Sequence, residues 1–103
     1  MTLEELRDEL KRVRQKLEAV NADEVERIEL EILEKQIQMQ IVIGTFDPLK
    51  SLDGLGGVDV SKIKDLIPQI DNVIQQEKER GKLVTRIIAM AKTALRAAGL
   101  PLP

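Results

Sequence analysis

Leu3, Leu6, Leu10, Val13, Leu17 and Val20 recur in alternating steps of three and four, with charged residues at most positions between them. That is nearly three heptads of a coiled-coil seam, and it predicts a helix from the first residues onward. Thr2 followed by Glu5 is a capping-box pair that starts this helix. At Asn21-Ala22-Asp23-Glu24 the heptad is interrupted. Either Asn21 ends one helix and Asp23 caps the next, or a single helix continues with a shifted seam.

Residues 25–43 carry two overlapping periods. Ile28, Leu30 and Ile32 alternate with Arg27, Glu29 and Glu31, and Ile37, Met39, Ile41 and Ile43 continue the alternation, which is a strand period. As a helix, the same segment shows one stripe of Val25, Ile28, Ile32 and Met39 and a second of Leu30, Leu33, Ile37 and Ile41. A helix with two apolar stripes must be covered on two sides. Glu, Lys and Gln at the polar positions favour helix, and Glu34-Lys35 is a poor hairpin turn. Helix is therefore predicted, with a β-hairpin over 26–43 as the alternative.

Gly44, Pro48, Gly54, Gly56 and Gly57 punctuate an aperiodic stretch over 44–60, which predicts a mobile loop that folding does not need. Helical spacing returns at Ile63, Leu66, Ile67, Ile70, Val73 and Ile74, capped by Asp59 or Ser61. Pro68 should kink that helix or mark its real start. Leu83, Val84, Ile87, Ile88, Ala91, Ala94, Leu95 and Ala98 form a further broad apolar face, closed by Gly99. Residues 100–103 read as an extended tail. The fold class is thus all-α: an N-terminal coiled-coil arm (1–43), a Gly/Pro-rich loop (44–60) and a C-terminal arm (61–99). Residues 2–43 as one helix would be about 60 Å long at 1.5 Å per residue. Two such arms make a thin antiparallel hairpin, so self-association into a helical bundle is expected to complete the core.

Composition narrows the function classes. The 103 residues contain no His, Cys, Trp or Tyr and one Phe, Phe46. Imidazole or thiol catalysis, Cys/His zinc sites and an aromatic platform for stacking bases are all excluded. No cofactor is expected. The N-terminal residues are too charged for a signal peptide and no apolar run approaches a membrane span, so a cytoplasmic protein without membrane contact is expected.

Charge is unevenly spread. The net −2 divides into −4 over 1–35, −3 over 36–77 and +5 over 78–103. Lys78, Lys82, Arg86, Lys92 and Arg96 share one side of a helix, opposite its apolar face, and form a candidate anion-binding stripe. The bland reading of that stripe is a solvated face.

Three motifs bear on chemistry. Gly44-Thr45-Phe46-Asp47-Pro48, after Ile41-Val42-Ile43, resembles the strand-to-loop signature of the cytidylyltransferase-like nucleotidyltransferases. That family follows the Pro with a His-x-Gly-His pair, and here Leu49-Lys50-Ser51-Leu52 stands in its place. The glycines at 54–57 lack the Gly-Lys-Ser/Thr step of a phosphate loop and precede Asp59, so they read as a flexible turn. Asp47, Asp53 and Asp59 lack calcium-loop spacing and read as caps or solvated acids.

The reading is a non-enzymatic helical module for oligomerisation or protein interaction: an adaptor, assembly or structural protein. Its partners are a second copy and another protein, and the Leu3–Val20 seam is the expected oligomer interface. A small nucleic-acid-binding protein using the basic C-terminal helix is the alternative, and a two-armed chaperone is a third option if 26–43 is a β-hairpin.

Overall fold

The computed structural model describes residues 1–22, 24–44 and 47–100. Four helices carry the fold: α1 (Leu3–Ala19), α2 (Glu24–Ile43), α3 (Ile63–Asn72) and α4 (Glu77–Ala97). No strand occurs among the described residues, so the β-hairpin alternative over 26–43 is corrected to helix, and the chaperone option built on it goes with it.

Helix α1 starts as its sequence predicts. Thr2 Oγ1 accepts from the Glu5 amide and the Glu5 carboxylate accepts from the Thr2 amide. Its end settles the ambiguity at 21–24. Asn21 takes a left-handed φ of 51°, its amide donates to the Glu18 carbonyl, and the Ala22 amide donates to the Leu17 carbonyl. Those two bonds form a Schellman motif. Ala22 and Leu17 are both buried and supply the apolar contact that accompanies it. The chain therefore reverses, and α2 packs back along α1. Asp23, the expected cap, lies outside the described residues.

The C-terminal arm is likewise divided. Pro68 stands inside α3 rather than at its start. The chain bends at 73–76, where the Val73 amide donates to Ile70 and the Gln76 amide to Val73. Arg80, itself buried, reaches back from α4 to donate to the Ile74 carbonyl at 2.6 Å. Gly81 sits where α4 meets the start of α2. A Cβ there would lie 3.2 Å from Glu26 Oε1, a tight contact with the end of a flexible side chain.

Two helical hairpins, α1–α2 and α3–α4, pack with α1 on α3 and α2 on α4. Lys64 bonds Glu5 near the start of α1 and Lys16 bonds Asp71 near its end, so α1 and α3 run in the same direction. The molecule measures 39 × 23 × 19 Å, which leaves no room for a 60 Å arm. One continuous core holds Leu6, Leu10, Val13 and Leu17 from α1, Leu30, Leu33 and Ile37 from α2, Ile63 and Ile70 from α3, and Val84, Ile87, Ala91 and Leu95 from α4.

Several described residues of the connection between the hairpins pack against the rest of the chain, where a free loop was expected. Leu52 is 3 % exposed and its amide donates to the Met1 carbonyl at 2.8 Å. The Glu4 amide donates to the Pro48 carbonyl, and Thr2 pairs with Ser51 in an isolated antiparallel bridge. Gly56, at φ +66°, lies against Thr93 and Ala97 of α4, so the turn approaches that helix through a position with no side chain. Asp47 and Asp59 accept from the Leu49 and Ser61 amides, the capping role expected of them. Phe46 lies outside the described residues.

Candidate functional site

The seam residues are placed first. Leu3, Leu6, Leu10, Val13 and Leu17 are buried within the single chain, and Val20 is half-buried at the turn. Their knobs meet Leu30, Leu33 and Ile37 of α2 in the same core. The heptad therefore packs α1 inside its own chain, and its side chains are not at the surface for a second copy.

The apolar surface lies elsewhere. On α2, the stripe Leu30, Leu33 and Ile37 is buried, whereas Val25 (64 % exposed), Ile28 (45 %), Ile32 (40 %) and Met39 (50 %) face outward, joined at the C-terminal end by Val42 and Ile43. The helix has two apolar faces, and the fold covers one. Together the six outward side chains expose roughly 600 Å², the upper end of the largest patch on a typical monomer. Their positions follow a heptad: Val25, Ile32 and Met39 at one seam position, Ile28, Lys35 and Val42 at the other. Lys35 interrupts the apolar run, with its ammonium 3.2 Å from Glu31 of the same helix.

A polar groove runs beside this stripe, between α1 and α2. Arg7, Asp8, Lys11, Arg14, Glu31, Glu34, Lys35 and Gln38 line about 360 Å³. Arg14 binds Glu34 through two nitrogens, at 2.6 and 3.1 Å, and also Glu18 at 2.7 Å. The hydrogen bonds to Glu34 hold its guanidinium pKa above the usual value. Glu34 is nearly buried and Arg14 half-buried at the edge of the groove, and this fork ties α1 to α2. Arg7 donates to Gln38 in the same groove. At the bundle's far side, Lys64 lowers the Glu5 carboxyl pKa and is itself raised, an exposed pairing that adds little.

The basic stripe is as regular as its spacing predicted. Lys78, Lys82, Arg86, Lys92 and Arg96 lie on the unbroken α4, all exposed except the half-buried Lys92. Lys82 pairs with Glu79 at 3.4 Å. Lys82 and Arg86 also border a shallow 450 Å³ groove with Gln69, Asn72, Val73, Glu79 and Leu83.

The nucleotidyltransferase-like string does not keep the context its resemblance implies. Ile41-Val42-Ile43 end helix α2, where a strand was implied, and the Gly44 amide closes the helix on Gln40. Thr45 and Phe46 lie outside the described residues. Among those residues no group of three or more Asp or Glu side chains converges to hold a metal ion, and no helix is long and apolar enough to cross a membrane.

What fold and surface define is an all-helical protein of two stacked hairpins with one exposed apolar helix face. No family model, curated protein or solved structure matches the chain.

Proposed function

We propose that this protein is a non-enzymatic helical interaction module that self-associates through the outward face of α2. One observation carries the reading: a heptad-spaced aliphatic stripe, Val25, Ile28, Ile32, Met39 and Val42, is exposed, although on the opposite stripe of the same helix Leu30, Leu33 and Ile37 are buried and Ile41 is half-buried. Covering such a face removes apolar surface from water at about 25 cal/mol per Å². The Leu3–Val20 heptad supports the module indirectly, by building the platform on which α2 is displayed.

The test is an Ile28→Asp/Met39→Asp double variant. Both positions are surface-exposed, so helicity and thermal midpoint should hold to within a few degrees. Sedimentation should show at least a tenfold rise in the dissociation constant, because a carboxylate at each of these two seam positions is left without a partner in an apolar interface. An unchanged association constant in the folded variant would remove α2 from the interface.

A second reading uses α4. Five of its six basic side chains, all but the buried Arg80, follow one face of a single helix, the arrangement that tracks a phosphate backbone. On that reading, Lys82→Glu/Arg86→Glu/Arg96→Glu abolishes binding to labelled duplex at low salt. The wild-type affinity also falls with salt at a slope of about −0.9 per phosphate contact. The acidic body, net −7 over residues 1–77, disfavours it, and no binding at low salt is the expected result.

A further inference from the structure

We infer that a second copy of this chain docks on α2 in antiparallel orientation, about a two-fold axis passing between Leu33 and Glu34. This rests on the proposed self-association and adds its geometry.

The inference comes from the order of side chains along the stripe. An antiparallel coiled coil sets each residue of one seam position against one of the other. With the dyad between Leu33 and Glu34, Val25 meets Val42 of the second copy, Ile28 meets Met39, and Ile32 meets Lys35. Every seam position from 25 to 42 then finds a mate, and each contact occurs twice, as an isologous interface requires. Sliding the dyad one heptad step either way leaves part of the stripe uncovered.

Charge selects the same orientation. A parallel, in-register pair would set Lys35 directly on Lys35 of the second copy. It would also bring Glu24 beside Glu29 through the flanking positions, both like-charge contacts. The antiparallel pair separates the two lysines by about 4.5 Å along the axis. Each ammonium then lies beside Glu31 of the other copy, close to where its own Glu31 already holds it at 3.2 Å. The flanking contacts become Glu29 with Gln36 and Glu31 with Gln38, which are charge to amide. Gln38 already accepts from Arg7, so Glu31 of the second copy approaches a guanidinium rather than a carboxylate.

The surface is of the right scale. Roughly 600 Å² of aliphatic side chain, with the stems of Glu29, Glu31, Lys35, Gln36 and Gln38 along its edges, approaches the about 800 Å² per partner of a standard interface. Both faces of α2 would then be covered, the inner by its own chain and the outer by its copy.

Because the chain has no cysteine, engineered thiols report the register without background. Val25→Cys and Val42→Cys are made separately, confirmed as folded by circular dichroism, and treated with a short bis-maleimide alone and as an equimolar mixture. The expected result is little covalent dimer from either alone and predominant covalent heterodimer from the mixture. Val25→Cys cross-linking to itself, or no cross-link in a sample whose mass is dimeric, would overturn the antiparallel register and leave self-association standing. A monomeric mass for the unmodified chain would overturn both.

Discussion

Leu10→Asp is expected to unfold the chain outright, with loss of most of its helical circular dichroism. Leu10 is fully buried in a core to which all four helices contribute. Truncation to Ala at such a position costs about 2–5 kcal/mol. A carboxylate adds the penalty of a charge with no partner, which exhausts a total stability of about 5–15 kcal/mol. The contrast with Ile28→Asp is the informative part. Both residues occupy heptad positions, yet one substitution should destroy the fold and the other should alter only the mass in solution. A folded Leu10→Asp variant of reduced mass would show that the α1 seam lies between chains after all.

Leu52→Ala is expected to lower the thermal midpoint by about 10 °C or more. The side chain is 3 % exposed, although it lies in a stretch with no secondary-structure period. It anchors the crossing segment beneath the N-terminus, where the Leu52 amide meets the Met1 carbonyl. A loss of about 2–3 kcal/mol follows from a Leu truncation that leaves a cavity, and in a chain of this length each kcal/mol shifts the midpoint by about 4–8 °C. Leu49, in the same segment but 70 % exposed, provides the control, and its truncation should shift the midpoint little. Equal, small effects at both positions in differential scanning calorimetry would return the segment to a dispensable loop.

These two residues show what the sequence carries and what it hides. The α1 helix, its capping box and the helical nature of 25–43 were legible because they rest on local spacing and on bonds within a few residues. The reversal at Asn21 was half legible. Asn tolerates the left-handed region, but what commits the chain to turn is the burial of Ala22 against Leu17, a contact that local pattern does not weigh against helix continuation. The owner of the α1 seam was not legible at all. A heptad states that a face needs covering, and the same leucines satisfy that need whether α2 of the same chain or another chain supplies the holes.

The burial of Leu52 was hidden for a related reason. Leu49, Leu52, Leu55 and Val58 are scattered among glycines and aspartates, and nothing local marks Leu52 as the buried one, because the group its amide meets, the Met1 carbonyl, lies far away in sequence. The candidate site itself was half visible. The two stripes of α2 are plain in the sequence, but which one stays outside depends on α1 and α4 packing against Leu30, Leu33 and Ile37. Val42 and Ile43 joined the exposed stripe only once α2 was seen to reach Ile43.

Light scattering of the unmodified protein, over a dilution series, shows whether the outward face of α2 holds two copies of this chain together. A molar mass of twice the 11.6 kDa chain is expected at high concentration, falling toward a single chain on dilution. A mass of 11.6 kDa at every concentration, from a sample with the full helical signal, would contradict it.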